Sequence, residues 1–352
     1  MTTLDATPLS ELTTLGIGGP ARVLVEATSE AELVAEVRGA RSHGDPLLVL
    51  GGGSNLVVAD AGFDGRVVAV RTRGVVESPR GEEVVLRVAA GEPWDDLVAR
   101  CVAQGLTGLE CLSGIPGRVG ATPIQNVGAY GQQVEDTLVA VRAWDLLRDH
   151  EVRLEPADLA LGYRDSALKS RWPGRFVVLE VVFRLRRGPP VPTDYPGLQV
   201  ALDRAPPELP ALARIRHAVL AVRRSKSMVH DPADRDSHSA GSFFTNPVVP
   251  PEQAAEVRRR AGDQLPAWEV EGGTKLAAAW LIEQAGFTRG LARGRVGLST
   301  QHALALINRG GATAVELVDL AREIRDGVQA RFGVTLRPEP VFVGFPSHPL
   351  GG

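Results

Sequence analysis

Cysteine is scarce in this sequence: only Cys101 and Cys111 occur among 352 residues. Two cysteines cannot form the disulfide framework of a small secreted protein, and these two lack the Cys-x-x-Cys spacing of a metal or redox pair. A reduced cytoplasmic environment is therefore the expected location.

Long apolar runs are also missing. No stretch approaches the roughly 18 consecutive apolar residues of a membrane-spanning helix. Residues 1–16 include Asp5 and Glu11 but no basic segment of the kind that begins a secretory signal. We therefore expect no signal peptide and no membrane association.

The sequence has no large excess of charge of one sign. It contains 39 Lys and Arg against 42 Asp and Glu, a net charge of −3. This balance removes the long-range positive field on which nucleic-acid binding depends, so nucleic acid is not an expected partner. At 352 residues and 44% hydrophobic residues, the chain is long enough for two or three domains with buried cores.

Glycine, in contrast, is abundant and clustered, with 39 residues. The run Gly51–Asn55 (GGGSN) follows an apolar strand at Pro46–Leu50 and precedes a second apolar strand at Leu56–Val58. A Rossmann loop needs a helix after its glycines, so the pattern favours a strand–loop–strand cradle whose N–H groups surround a diphosphate. A tight glycine turn in a hairpin is the alternative.

A second glycine-rich segment spans Ser113–Gly131, where 19 residues include five glycines and a single charge, Arg118. Its small residues allow the backbone to approach a large planar ligand, and its amides can bind the edges of the ligand rings. A plain surface loop is the alternative, although unstructured loops of this length are uncommon unless they are functional.

Other patterns predict regular elements. Capping boxes at Ser29–Glu32 and Thr313–Glu316 begin helices, the second of which continues to Phe332, and further helices are predicted at Pro93–Gly105 and Lys275–Gln284. The clearest strands are Val23–Val25, Val84–Val88, Leu138–Trp144 and Phe176–Leu185.

The stretch between Pro189 and Pro210 contains seven prolines, which predicts an extended connector or surface loop. Beyond Ala211 the pattern predicts a mostly helical chain.

Polar side chains occur in three loop-like segments: Gly162–Ser166, Ala240–Pro247 and Arg337–Pro340. Taken singly, Arg164 and Glu339 read as surface charges and Ser242 as a turn hydroxyl. No Gly-x-Ser-x-Gly elbow surrounds Ser242, so a hydrolase nucleophile is not indicated.

The segment His230–His238 gathers histidines and carboxylates. It contains a proline and no helical i, i+4 histidine pair, so a solvated loop is expected rather than a metal site.

Seven segments in this order resemble the UDP-N-acetylenolpyruvoylglucosamine reductase family. They are Thr13–Ala21, Gly51–Asn55, Ser113–Gly131, Gly162–Ser166, Ala240–Pro247, Lys275–Phe287 and Leu336–Gly344. The resemblance implies an α/β (α+β) FAD-binding fold of the vanillyl-alcohol-oxidase type in two subdomains, plus a third, substrate-binding domain. It places the FAD-binding subdomains at 1–73 (with 336–352) and 74–222, and the substrate domain at 223–335.

The resemblance also implies a reaction: NADPH, through noncovalent FAD, reduces UDP-N-acetylglucosamine enolpyruvate to UDP-N-acetylmuramate in peptidoglycan precursor synthesis. By motif, Arg164 stabilises charge on the substrate carboxylate, Ser242 donates a proton, and Glu339 polarises the intermediate or relays a proton. The implied FAD-binding residues are Gly51, Gly52, Gly53, Ser54, Asn55, Ser113, Ile115, Pro116, Gly117, Gly120, Ala121, Asn126, Gly128, Ala129 and Tyr130.

Three further positions are expected to bind the substrate: Tyr195 as a covering residue, Lys226 at the diphosphate, and Asn246. A monomer is expected. Two other interpretations stay open at this level, namely an FAD oxidase or dehydrogenase of the same fold acting on an alcohol or sugar, and a non-catalytic nucleotide-binding module that has lost its flavin.

Overall fold

The computed structural model describes residues 2–3, 7–193, 195–262 and 264–351. Its helices are α1 (Glu30–His43), α2 (Trp94–Ala103), α3 (Pro156–Leu159), α4 (Ala167–Ser170), α5 (Pro196–Asp203), α6 (Ala211–Arg224), α7 (Pro251–Ala261), α8 (Ala278–Gln284) and α9 (Ala314–Phe332). The first half of the chain holds strands β1 (Thr2–Thr3), β2 (Ala21–Ala27), β3 (Leu47–Leu50), β4 (Leu56–Val58), β5 (Phe63–Val70), β6 (Val75–Arg80), β7 (Glu83–Ala89), β8 (Leu106–Thr107), β9 (Gly128–Ala129), β10 (Gln132–Gln133), β11 (Leu138–Asp145) and β12 (His150–Leu154). The strands that follow are β13 (Phe176–Arg187), β14 (Val248–Val249), β15 (Ala267–Val270), β16 (Gly273–Leu276), β17 (Ala292–Arg293), β18 (Val296–Leu298), β19 (Leu306–Asn308) and β20 (Val341–Val343).

The described residues divide into two compact units. The first holds residues 2–3, 22–52, 64–193 and 195–225, and the second holds residues 7–21, 53–63, 226–262 and 264–351. The chain passes between them more than once, so the GGGSN run is itself split, with Gly51 and Gly52 in the first unit and Gly53–Asn55 in the second.

The first unit is built on two larger sheets and a short antiparallel pair of β9 with β10. One has the strand order β1-β2-β5-β3, in which β3 and β5 run parallel. The other has the order β12-β11-β13-β7-β6 with β8 beside β13, and its pairs are antiparallel. The long strand β13 is central, and its buried residues, Phe183 among them, pack with Trp94 of α2 in one core.

The second unit has its own core, which residues of α8, α9 and two small sheets share. These sheets have the orders β14-β16-β15 and β17-β18-β19. Separately, β20 lies parallel to β4, so the strand that follows the glycine loop pairs with the C-terminal segment of the chain.

Both capping-box predictions are confirmed. The hydroxyls of Ser29 and Thr313 accept hydrogen bonds from the backbone N–H groups of Glu32 and Glu316. In turn, each glutamate carboxylate accepts a hydrogen bond from the backbone N–H of its cap residue. The predicted strands and the helix expected at Pro93–Gly105 also form.

Three predictions need correction. The proline-rich stretch contains helix α5, because its prolines leave residues 197–205 free and Pro196 occupies the first helical turn, where a missing N–H costs nothing. The helix expected at Lys275–Gln284 begins only at Ala278, since Lys275 and Leu276 belong to β16. The chain beyond Ala211 is not mostly helical, because short strands between its helices form the two small sheets.

Among the described helices, none is both long and apolar enough to cross a bilayer.

The turn between β11 and β12 offers a stability test. Asp145 is 1% exposed, and its carboxylate accepts bonds from Arg175 (2.6 Å to Nη2) and from the N–H groups of Leu147 (2.9 Å) and Arg148 (3.3 Å). The Arg175 hydrogen bond lowers the pKa of Asp145 to about 2. Nearby, Asp149 forms an exposed ion pair with Arg38 at 2.9 Å.

We expect Asp145→Asn to lower the free energy of unfolding by roughly 1–3 kcal/mol at neutral pH, because Arg175 loses a charged partner. A carboxyl whose pKa is lowered on folding stabilises the native state above its unfolded pKa, so the difference from wild type should shrink as the pH falls from about 4 towards 2. Asp149→Asn is the matched control, with an expected change below about 1 kcal/mol. Urea denaturation measures both, and equal effects would contradict the assignment.

Candidate active site

The glycine loop has the predicted strand–loop–strand form, between β3 and β4. Two of its glycines are required by the protein's own packing. A Cβ on Gly52 would lie 2.6 Å from Gly117 Cα, and one on Gly53, whose φ is +63°, would lie 1.9 Å from the Leu12 carbonyl oxygen. Backbone therefore approaches backbone closely at both positions.

Gly51 is different. A Cβ there would meet only Ala121 Cβ at 3.6 Å and Arg118 side-chain atoms at 3.7 and 3.8 Å, which are ordinary contacts. Its carbonyl oxygen accepts a 3.0 Å bond from Arg71 Nη1. Protein packing therefore does not explain the missing side chain at Gly51, whereas a ligand lying against this backbone, near arginines, would.

The Ser113–Gly131 segment is fixed to the first unit and is not a plain surface loop. Ser113 is fully buried, and its hydroxyl donates to the Glu110 carbonyl at 2.7 Å. Gly120 N–H donates to the Ala90 carbonyl at 2.8 Å, and a Cβ on Gly120 would lie 2.5 Å from Ala90 Cβ. Ile115, Pro116 and Gly117 are half-buried between these fixed points, while Ala121 is exposed.

Helix α6 is tied to the same segment by a carboxylate. Asp95 at the start of α2 accepts the Gly114 N–H at 2.6 Å and both terminal nitrogens of Arg216 at 2.6 and 2.8 Å. Although burial opposes ionisation, these bonds hold the pKa of Asp95 below its ordinary value. The carboxylate therefore stays charged and keeps the segment in place.

Two motifs that are distant in sequence are joined in the first unit. The buried amide of Asn126 donates to the Gly162 carbonyl at 3.2 Å, and Ser166 Oγ donates to the Ile124 carbonyl at 2.6 Å. Arg164 Nη2 donates to the Gly128 carbonyl at 2.8 Å. The GYRDS motif is thus bonded at three points to the glycine-rich segment that carries Gly128 and Ala129.

Arg164 has a left-handed backbone with φ of +56°, which is unfavourable for a residue with a long side chain. Its carbonyl accepts a 2.9 Å bond from Lys169 Nζ, and its guanidinium lies 5.4 Å from the Tyr163 ring centroid. These contacts hold a half-buried cation beside Gly128.

Tyr130 and Tyr195 lie together in the first unit. Their rings meet edge to face with centroids 5.1 Å apart, and Thr193 Oγ1 donates to the Tyr130 carbonyl at 2.7 Å. Burial raises the pKa of Tyr130, while a hydrogen bond from the buried Arg223 opposes that shift. Tyr195 itself is 43% exposed.

The second unit brings Ser242 and Glu339 onto neighbouring extended segments, which pair at the isolated bridge between Phe244 and Pro338. Glu339 N–H donates to the Phe243 carbonyl at 2.9 Å, next to Ser242 in the chain. Val341 N–H donates to the Asn55 carbonyl at 2.9 Å, and Asn55 Nδ2 lies 3.4 Å from the Glu339 carbonyl oxygen. The end of the glycine loop and two of the predicted catalytic residues therefore form one cluster.

Sequence reasoning missed His302, whose Nε2 lies 3.5 Å from Ser242 Oγ. A 2.7 Å bond from Phe243 N–H to the Leu304 carbonyl holds the two segments in register. Sixty residues separate the serine from the histidine in the chain, and no local pattern links them.

The remaining predicted substrate residues have structural contacts. Asn246 Oδ1 accepts the N–H of Ala278 at 3.0 Å and so satisfies the first turn of α8. Lys226 is half-buried, directly after α6 and Ser225.

Thiolate and metal chemistry find little support in the described residues. Burial raises the pKa of Cys101 and of Cys111 to about 12, so neither thiol ionises at neutral pH. No group of three His, Cys, Asp or Glu side chains in the described part of the chain has the arrangement of a metal site.

Comparison with known proteins supplies a family. Residues 21–152 match the model of an FAD binding domain, and residues 231–343 match that of the UDP-N-acetylenolpyruvoylglucosamine reductase C-terminal domain. The reductase of that name from Thermobifida fusca is 50% identical over 346 residues, covering 96% of this chain and 97% of the relative. The one from Salinispora arenicola is 52% identical over 344 residues, covering 95% and 94%.

The chain belongs to the UDP-N-acetylenolpyruvoylglucosamine reductase family. The crystal structure of the Thermus caldophilus reductase agrees, with a TM-score of 0.66 at 27% identity over 97% of this chain and 98% of that one. Family membership confirms the predicted fold class and an FAD oxidoreductase. The open backbone at Gly51 and the neighbouring arginines fit the diphosphate of FAD.

The two adjacent glycines give a paired test. Gly52→Ala should disturb the loop, because its Cβ would contact Gly117 Cα, and the variant should purify with little flavin and a lower melting temperature. Gly51→Ala, freed of flavin, should melt like the flavin-free wild type, yet its holoenzyme should release FAD more readily, since only the ligand would meet its methyl group. Flavin content by absorbance and thermal unfolding measure both. Normal FAD binding by Gly51→Ala would show that no ligand approaches this backbone.

Proposed function

We propose that the enzyme uses NADPH to reduce UDP-N-acetylglucosamine enolpyruvate to UDP-N-acetylmuramate, in the cytoplasmic synthesis of peptidoglycan precursors. The names of the relatives support the substrate, and one observation on this chain carries the chemistry. The Phe243–Glu339 backbone bond holds the segment of Ser242, which bears a hydroxyl, beside Glu339, which bears a carboxylate and precedes the strand that pairs with β4. The three-domain division and a monomeric state remain predictions.

FAD, when bound, supplies a two-electron carrier between NADPH and the enolpyruvyl group. We propose that it is held by Gly51–Asn55, by Ser113, Ile115, Pro116, Gly117, Gly120 and Ala121, and by Asn126 and Gly128–Tyr130. Two of these side chains act indirectly, because Ser113 and Asn126 are buried and bonded to backbone carbonyls. Their proposed part is to keep the backbone of the segment in the shape that the cofactor meets.

Arg164 is the proposed partner of the substrate carboxylate. Reduction of the enolpyruvyl double bond places negative charge on the α-carbon, which delocalises into this carboxylate. A fixed guanidinium stabilises such charge as it develops, without a cost of reorganisation. The bond to the Gly128 carbonyl and the left-handed backbone restrict the guanidinium before the substrate arrives.

Ser242 is the proposed proton donor to the α-carbon. Its hydroxyl loses a proton in this step and must be reprotonated afterwards. His302 Nε2, at 3.5 Å, restricts the orientation of the hydroxyl, and Glu339 on the neighbouring extended segment is the proposed relay. Tyr195, Lys226 and Asn246 are proposed to bind the rest of the substrate.

Anaerobic stopped-flow spectroscopy tests the function directly. Enzyme reduced with NADPH should be reoxidised rapidly by UDP-N-acetylglucosamine enolpyruvate and slowly by dioxygen. Fast reoxidation by dioxygen with no response to the enolpyruvyl sugar would indicate an oxidase instead. A colourless protein without flavin would contradict both.

Ser242→Ala separates the two half-reactions. Flavin reduction by NADPH should change by less than about tenfold, because it needs no proton at the substrate α-carbon. Reoxidation by the enolpyruvyl sugar should slow by about 10²–10⁴-fold, the usual contribution of a general acid. Thr245→Val removes a hydroxyl from the same segment and should leave both rates near wild type. If Ser242→Ala slows both half-reactions equally, Ser242 is not the proton donor.

Arg164→Met tests charge at the carboxylate. Methionine keeps part of the aliphatic packing but removes the guanidinium, so kcat of the steady-state reaction should fall more than substrate affinity, by about 10²-fold or more. Arg171→Met removes an exposed arginine from the same region and should retain normal kinetics. Unchanged turnover in the first variant, with an unchanged melting temperature, would leave Arg164 as a structural residue.

A further inference from the structure

Three arginines gather beside the glycine loop in the first unit. Arg73 Nη1 and Arg118 Nη1 both donate to the Gly91 carbonyl, each at 3.1 Å. Arg71 Nη1 donates to the Gly51 carbonyl at 3.0 Å. Three guanidinium groups therefore lie close to one another around a short stretch of backbone.

The charges of this cluster are only partly compensated. Arg71 pairs with Glu26 at 3.3 Å and Arg73 with Glu92 at 3.2 Å. Glu92 also accepts the Gly74 N–H at 2.7 Å, so both of its oxygens are engaged. In the part of the chain that the structure describes, Arg118 has no ion-pair partner.

Arg118 stays positively charged in this environment. Its burial, with the repulsion of Arg71 and Arg73, lowers the pKa of Arg118, and the attraction of Asp96 and Glu92 only partly offsets this. A guanidinium remains protonated at any physiological pH even so. A half-buried cation between two others favours the approach of an anion.

The position of Arg118 points to the source of that anion. Its Cβ and Cγ lie 3.7 and 3.8 Å from where a Cβ on Gly51 would be, at the one glycine of the loop that protein packing leaves open. Gly117, its neighbour in the chain, is the residue against which Gly52 packs. The side chain of Arg118 therefore starts at the edge of the open backbone.

We propose that Arg118 is a side-chain ligand of the FAD diphosphate, for which it supplies the positive charge that the glycine backbone lacks. The proposal rests on the assignment of the FAD diphosphate to Gly51–Asn55. Arg71 and Arg73 have supporting parts, because their charge is already offset by Glu26 and Glu92. A guanidinium suits this position because its planar fork matches two phosphate oxygens.

The test measures FAD release from the holoenzyme upon dilution, followed by the rise in flavin fluorescence, at low and at high salt. Arg118→Met should release FAD with a dissociation constant about tenfold higher or more at low salt, the effect of losing one charged hydrogen bond. Its dissociation constant should also depend less on salt concentration than that of the wild type. Arg118→Lys, which keeps the charge but loses the planar fork, should bind FAD with an affinity between those of Arg118→Met and the wild type, and should keep the salt dependence of the wild type.

Arg80→Met is the matched control, since it removes an exposed arginine from β6 of the same unit. It should bind FAD like the wild type. Wild-type affinity in Arg118→Met would overturn the proposal. So would equal losses in Arg118→Met and Arg118→Lys, since that result assigns Arg118 to the Gly91 bond alone.

The kinetics of flavin reduction distinguish FAD from NADPH as the source of the anion. With FAD saturating, Arg118→Met should keep the wild-type dependence of flavin reduction on NADPH concentration. If half-maximal flavin reduction needed a higher NADPH concentration while the FAD affinity was unchanged, Arg118 would instead contact a phosphate of NADPH. None of these outcomes depends on reoxidation by the enolpyruvyl sugar, so failure of this proposal and failure of the proposed reaction are distinguishable.

Discussion

The geometry of the candidate site in the first unit depends on buried polar side chains that bond to backbone carbonyls. Asn126 and Ser166 are both buried. Asn126 of the glycine-rich segment donates to the Gly162 carbonyl of the GYRDS motif, and Ser166 of that motif donates to the Ile124 carbonyl of the glycine-rich segment. An unsatisfied buried amide or hydroxyl is costly, so neither motif can move without exposing the polar groups of the other. Irregular backbone rich in glycine thereby becomes as well defined as a regular element.

In the second unit, the geometry of the candidate site depends on backbone contacts instead. Its candidate catalytic residues lie on extended segments that pair at single points, and the packing of Gly53 against Leu12 fixes the start of β4. The parallel pairing of β4 with β20 then positions Glu339, which lies two residues before β20 begins. In the second unit, pairing between backbone segments holds these residues in position, whereas buried side chains do so in the first unit.

Many secondary-structure elements could be predicted from the sequence where the pattern that defines them is local. Capping boxes fixed the starts of α1 and α9, and the apolar residues after GGGSN correctly excluded a Rossmann helix. The short strands of the second unit could not be predicted, because segments of two to four residues carry too little periodicity to identify.

The site was harder to predict wherever it depends on residues far apart in sequence. Motif resemblance singled out Ser242 and Glu339, but nothing in the chain links Ser242 to His302. Glycine content likewise could not separate Gly52 from Gly51. The difference between them is the proximity of Gly117, which only the folded chain defines.

The left-handed backbone of Arg164 sets a limit on how far this enzyme can be stabilised. Glycine is the residue best suited to that conformation, and surveys of stabilising substitutions would favour it there. The same exchange would delete the guanidinium on which we propose that the reaction depends. On that proposal, a screen for heat resistance alone would favour an exchange that removes activity.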